Sequence, residues 1–420
     1  MRVIKALVLS LPTIGLFSSG LVATVALNAV AVSEVHAAKE QQVGAKVGKP
    51  LQEAMKLAQS GKLKPAMEKA KEADAVSGKT AFENFKINEV IAFIAVKSGD
   101  YASAAKAYEE TLKGGLLPAA DAKDRVSQLV KLYYQLSNYP KTIQYGSQYL
   151  KDGGNDTSVA VLVAQSYYQQ KDYAGGVEAT QALIRMASNA GQPIQEPWLQ
   201  LLMNCQINSG KESDAIKTLE QLLEKYPSKQ YWGSMLAYVQ THGGSSDRKN
   251  IEVYRLKLAT GLLKDTEHVE MAQLAMALGF PGDAKTVLDK GFSEKILGTG
   301  PNKDREQRLL TLAETNSVAD KKSLPAFEKE ASAAANGDAD VKLGEAYLSY
   351  GESQKAIEAI RRGLKKGNVK AIDEANLQLG LALLDAKQSS EAISAFKAVP
   401  ADSKLAPIAR LWVVHINGKK

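Results

Sequence analysis

From about residue 48 the chain repeats one arrangement of apolar and polar positions. A helical stretch with an apolar stripe ends in a short turn, and a small residue then opens a second amphipathic stretch. The turn and the small anchor read Ser60-Gly61-Lys62 before Ala66, Ser98-Gly99-Asp100-Tyr101 before Ala104, Ser137-Asn138-Tyr139 before Thr142, and Lys171-Asp172-Tyr173 before Gly176. They return as Ser209-Gly210-Lys211 before Ala215, Leu278-Gly279-Phe280 before Ala284, Tyr350-Gly351-Glu352 before Ala356, and Lys387-Gln388-Ser389 before Ala392. Neighbouring anchors in the first five and the last two lie 34 to 39 residues apart. The two wider gaps, 69 and 72 residues, each fit two units, with a degenerate one near Asn250. A period of this length predicts stacked helical hairpins. Small residues belong where two helices cross closely, and the turn glycine supplies the left-handed cap that ends the first helix.

The copies resemble the tetratricopeptide repeat. Leu343-Gly344-x2-Tyr347 with Ala356-x3-Ile360, and Leu379-Gly380-x2-Leu383 with Ala392-x3-Phe396, follow its pattern most closely. Val163-Ala164-x2-Tyr167 is a third copy, and Leu202, Leu219, Leu222 and Pro227 stand at the family offsets around Ala215. The resemblance implies an all-α, right-handed α-solenoid of about nine to ten hairpins. It divides the chain into an array over 48–292, a degenerate repeat or hinge over 293–338, and C-terminal repeats with a capping helix over 339–420. The hinge reading rests on Gly298-Thr299-Gly300-Pro301 and the polar run Asp320-Lys321-Lys322. A narrower resemblance rests on Tyr226-Pro227-x3-Tyr231-Trp232, Leu258-Ala259-x-Gly261-Leu262-Leu263 and Gly279-x-Pro281-x2-Ala284. These runs are similar to exported repeat proteins encoded beside TonB-type energy-transducing systems of Gram-negative bacteria. That likeness implies an accessory of outer-membrane transport.

Composition agrees with a helical fold and limits the partners. The chain has 420 residues, 45% of them hydrophobic, 24% charged and 6% aromatic, and alternating β-branched runs are nearly absent. Its +7 charge is interleaved with acids, as on a solvated helical surface, so no nucleic-acid partner is expected. Arg2 and Lys5 precede an uncharged run from Ala6 to Ser33 that closes with Val35-His36-Ala37. This is the pattern of an export signal cleaved after Ala37, with Ala29-Val30-Ala31 as an earlier site, and 38–47 then reads as a linker. The expected location is the periplasm. The alternative is an uncleaved anchor in the inner membrane facing the periplasm, with membrane contact otherwise only through partners.

No catalytic constellation is present. His36, His242, His268 and His415 are scattered, and neither an H-E-x-x-H helix nor a G-x-S-x-G elbow occurs. Gly78-Lys79-Thr80 lacks the upstream glycine of a phosphate loop, since position 73 is Ala73. The single cysteine, Cys205, falls at an inward-packing position and cannot form an intrachain disulfide. A non-enzymatic scaffold is expected, with no metal, cofactor or small-molecule substrate.

In the tetratricopeptide family, first helices line a concave groove. Carried over position by position, the groove receives Lys86, Glu89 and Phe93, then Lys131 and Tyr134, then Gln165 and Tyr168. Gln200, Asn204 and Asn208 follow, and then Gln273 and Met276. Amides and phenols hydrogen-bond a peptide backbone at low desolvation cost, which suits protein or peptide partners in the cell envelope. At the last two repeats the same positions are the apolar Val341, Leu348, Leu377, Leu381 and Leu384, which either form a second contact surface or, as expected of a terminal repeat, are covered by the stretch from Pro407 to Ile416. A scaffold for outer-membrane secretion or polysaccharide export is the alternative to a transport accessory.

Overall fold

A computed structural model describes residues 42–418, so the leader and its cleavage site lie outside the described residues. Among the described residues there are twenty helices and no strand. Contacts divide them into two units, one ending at Thr218 and the other starting at Leu219. The first unit holds α1 (Ala45–Gln59), α2 (Leu63–Asp74), α3 (Ala81–Ser98), α4 (Tyr101–Lys113), α5 (Ala119–Gln135), α6 (Tyr139–Lys151), α7 (Thr157–Gln169), α8 (Tyr173–Asn189) and α9 (Glu196–Asn208). The division falls inside α10 (Glu212–Lys225). The second unit continues with α11 (Lys229–Thr241), α12 (Asp247–Thr260), α13 (Asp265–Ala277), α14 (Pro281–Ser293), α15 (Lys303–Ala333), α16 (Asp338–Ser349), α17 (Ser353–Lys366), α18 (Ile372–Asp385), α19 (Ser389–Lys397) and α20 (Ala406–Asn417). The order is nine hairpins with two unpaired helices, α15 and α20.

Every anchor predicted from the repeat is buried: Ala66, Ala104, Thr142, Gly176, Ala215, Ala284, Ala356 and Ala392. The eight matching turns share one geometry. The turn residue is left-handed in each, with φ between 54° at Ser137 and 83° at Gly279. The residue after it donates its N–H to the carbonyl five positions back at 2.8–3.0 Å, as Asp100 does to Ala95 and Asp172 to Tyr167. Three turns achieve this without glycine, at Ser137, Lys171 and Lys387. Asp100, Asn138 and Asp172 then cap the second helix through their side chains. Thr80 of the Gly-Lys-Thr string likewise starts α3, in a reciprocal capping box with Glu83.

Close crossings follow from the small residues. A Cβ on Gly176 would stand 2.7 Å from Cys205 Sγ, and one on Gly344 2.3 Å from Ile360 Cγ1. In the first unit the core is a chain of clusters, each shared by adjacent helices, as Ala92, Ala104, Tyr108, Leu129 and Tyr133 join α3, α4 and α5. Helix begins at Ala45, so α1 takes up the end of the stretch read as a linker.

In the second unit, 293–338 differs from the loosened repeat or hinge read from sequence. The Gly298–Pro301 segment is a turn, but Lys303–Ala333 is one 31-residue helix running straight through Asp320-Lys321-Lys322. That run contains good helix formers, and no glycine interrupts 303–333; Pro325 is accommodated within the helix. Leu310, Ala313, Ser317, Leu324 and Ala331 form its buried seam. Ser317 Oγ donates to the carbonyl of Pro281 at the start of α14 (2.8 Å). Tyr350, just past the end of α16, donates its hydroxyl to the Ser317 carbonyl (3.3 Å). At the far end, Lys366 of α17 reaches the carbonyls of Ala331 and Ser332. Helices α14 and α16 therefore meet near Ser317, where a Cβ on Gly282 would lie 2.3 Å from the Ser349 carbonyl oxygen. The long helix splints them.

The predicted cap is α20, which buries Ile408, Leu411, Trp412 and Ile416. Trp412 stacks on Phe396 of α19 at 6.1 Å, and His415 meets Trp232 of α11 edge-on at 5.9 Å. Within this unit the last helix thus returns to the first hairpin.

Candidate functional site

Ten of the twelve residues singled out for a groove belong to the first unit, and Gln273 and Met276 belong to the second. Phe93 is half-buried on α3, with Lys97 Nζ 4.9 Å from its ring centre. Tyr134 ends the first helix of its hairpin and meets Tyr139, which opens the second, edge-on at 5.8 Å. Tyr168 repeats this contact with Tyr173 at 5.7 Å. Burial pushes both phenols, Tyr134 and Tyr168, above the ordinary tyrosine value. Gln165 stands half-buried nearly one turn before Tyr168.

On α9, Gln200, Asn204 and Asn208 share a face at four-residue spacing. Gln200 Nε2 donates to Glu196 Oε1 (3.3 Å), and Asn208 Nδ2 donates to the Asn204 carbonyl (2.8 Å). Asn204 is 6% exposed, and its Oδ1 is buried without a hydrogen-bond partner. An acceptor in that state costs free energy until a donor reaches it. Gln273 is exposed on α13 in the other unit.

The charged positions carry partners that the sequence reading missed. Lys131 pairs with Asp156 Oδ2 at 3.2 Å, and Asp156 also caps α7 through the N–H of Ser158 (2.8 Å). Burial raises the Asp156 carboxyl, but the Ser158 hydrogen bond and Lys131 outweigh it and hold the group below the ordinary aspartate value. Glu89 receives a fork from Arg125 at 2.5 and 3.2 Å, and Arg125 also lies over the Tyr108 ring. The cap signature at Asp156 was visible in sequence; its pairing with Lys131 from the preceding hairpin was not. Lys131 and Glu89 are therefore charge-compensated, and on α9 Asn204 Oδ1 is the unmatched acceptor. Cys205 on the same helix is fully buried, and burial pushes its thiol up to about 12, so it remains a protonated packing group.

The second unit has a different character. Val341, Leu377 and Leu381 are buried, and Leu348 and Leu384 are half-buried. A polar cluster joins α12 to α14, α16 and α18. Arg248 holds both oxygens of Glu345 at 2.8 and 2.7 Å, and its Nε lies 2.9 Å from Glu374. Arg255 donates to Glu252 (2.6 Å), Asp283 (3.1 Å) and Gln378 (3.2 Å), and Gln378 donates back to Glu252 (2.7 Å). None of these residues was a candidate from sequence. Arg248, Glu252 and Arg255 do recur at helical spacing, which was the available signal.

Successive antiparallel hairpins with small residues at their crossings define a helical repeat protein. Two stretches match family models described as Tetratricopeptide repeat, residues 341–407 and 199–229. Together these stretches span less than a quarter of the chain, and over them the sequence is similar to tetratricopeptide repeats. Among solved structures it is similar to YrrB, described as a TPR protein with an unusual peptide-binding site, at 13% identity over 45% of this chain and 89% of that one, with a TM-score of 0.32. It is also similar to a tetratricopeptide repeat protein from Parabacteroides merdae at 13% identity, over 81% of this chain and 100% of that one, with a TM-score of 0.32. No curated protein matches the sequence.

Proposed function

We propose that the protein is an exported, non-enzymatic scaffold that binds a protein or peptide partner in the periplasm through the first-helix face of its N-terminal unit. The observation carrying this reading is the α9 face, where half-buried Gln200 and exposed Asn208 flank Asn204 at four-residue spacing on one first helix. The accessible amides can hydrogen-bond a peptide backbone, and Tyr134 and Tyr168 offer aromatic area on preceding first helices. The leader supports export, and the Tyr-Pro, Gly-Leu-Leu and Gly-x-Pro runs support an accessory role in TonB-dependent outer-membrane transport.

Photo-crosslinking in intact cells tests the binding reading. A benzoyl-phenylalanine at position 200 should trap a discrete envelope protein, whereas one at exposed Lys217 should not. Equal labelling from both positions, or none from position 200, removes the α9 face as the contact. N-terminal sequencing of the native protein tests export: a start near Ala38 fits a cleaved leader, and an intact Met1 in the membrane fraction fits the anchor.

A further inference from the structure

The cluster between α12, α14, α16 and α18 carries more acid than base. Its carboxylates are Glu252, Asp283, Glu345 and Glu374, and its cations are Arg248 and Arg255. Fully ionised, it would hold two uncompensated negative charges in a region where Glu252 is 1% and Glu345 4% exposed. Burying charge without compensation is expensive, and such a group takes up a proton instead. One atom is placed for this. Glu252 Oε1 accepts from both Arg255 and Gln378, while Oε2 is buried with no partner. Arg248 Nη1 is likewise unmatched.

We propose that this cluster is a proton-held clasp: α12 stays joined to α16 and α18 while a carboxyl at its centre is protonated, and the contact loosens when that proton passes to solvent. The groups facing Glu252 are Arg248 and Arg255 from its own helix, Asp283 from α14, Glu345 from α16, and Glu374 and Gln378 from α18. Of the other ionisable groups on α12, Asp247 is exposed and the rest are engaged elsewhere. Lys257 pairs with Glu267 of α13 and Gln240 of α11, and Tyr254 donates to Glu270. Lys249 is held by the carbonyls of His242 and Gly244, and His415 of α20 packs on Trp232 and Trp412. Burial is the largest influence on both Glu252 and Glu345 and raises them above the ordinary glutamate value, with the arginines opposing it. The sign follows. A carboxyl raised in the closed form holds its proton after the open form has lost it. Closure is therefore firmest at the acid end and weakens as pH rises from the ordinary carboxylate range through the raised value.

Hydrogen exchange on the full chain between about pH 5.5 and 8.5, corrected for the intrinsic pH dependence of exchange, reads this directly. Opening of α12, α16 and α18 should increase with pH, by up to about tenfold per unit for one proton, while α3 and α5 stay level. Glu252→Gln should keep the helices protected and remove the slope. Glu345→Gln serves the same purpose if the first variant does not fold. A wild type with no slope in these helices overturns the proposal, as does a slope that persists unchanged in both variants.

Discussion

Arg248 lays one guanidinium nitrogen on both carboxylate oxygens of Glu345, although the two residues stand 97 positions apart in the chain. Removing one member of a buried pair leaves the other uncompensated, which costs about 3–5 kcal/mol. Arg248 retains partial exposure, so Arg248→Ala should fall near the low end, about 3 kcal/mol. Arg248→Lys should recover little, because one ammonium cannot hold Glu345 and Glu374 together as Nη2 and Nε do. Denaturant melts, with exchange on α12 and α16 to localise the loss, check both.

The crossing of α16 and α17 is too tight for added volume. Ala356 is fully buried, and its carbonyl oxygen lies 3.0 Å from where a Cβ on Gly344 would stand. Ala356→Leu and Gly344→Ala should each cost about 1–3 kcal/mol. Melts overlaying wild type would show that the register of this repeat is misplaced.

Lys171 occupies the left-handed position at φ 61°, which five of the eight matching turns give to glycine. Lys171→Gly relieves that strain at some cost in unfolded-chain entropy, and should stabilise the first unit by about 0.5–1 kcal/mol. A lower midpoint for this variant would mean that the lysine side chain makes a stabilising contact.

Glu109 on α4 accepts from Lys141 and Tyr145 of α6, both at 2.8 Å. Burial pushes its carboxyl upward, but these bonds and Tyr133 outweigh it and hold the group at about 2. A carboxyl depressed in the folded state contributes stability in full above its ordinary value, and loses it as pH falls through about 2. Acid unfolding should therefore be shallower in Glu109→Gln than in wild type across that window. Superimposed profiles would remove Glu109 from the acid response.

The double variant Tyr134→Ala, Tyr168→Ala should weaken partner binding by roughly 30-fold, since aromatic anchors commonly cost 2 kcal/mol or more on truncation. Both rings also brace their own hairpin turns, so circular dichroism must first show retained helix. Wild-type affinity in a folded double variant would clear these rings of any part in recognition.

The helical pairs were legible because the repeat states its geometry locally. Ala104 or Ala392 fits only at a close crossing, and the residue before Asp172 must turn left-handed whether or not it is glycine. The sequence pattern also placed Gln200, Asn204 and Asn208 on one face. It could not place their surroundings: nothing local to Lys131 names Asp156, and nothing local to Glu252 names Gln378, 126 residues away. The Asp320–Lys322 run was misleading because its charge suggested a loop, yet no glycine breaks 303–333 and nearby Pro325 is accommodated within the helix. Packing against α14 and α16 kept that stretch helical.

The splint at α15 also bears on how such an array can change length. An ordinary hairpin presents to the next one the same kind of face that it received, so a duplicated unit finds a ready-made neighbour on either side. Helix α15 has no such periodicity. Its first half is fitted to α14, its second half to α16, and Ser317 bonds near the junction of both. A copy of it would meet no matching surface, and a deletion would leave Pro281 and Tyr350 without their shared contact. Units can be gained or lost to either side, but the spacing across Ser317 is a fixed gauge.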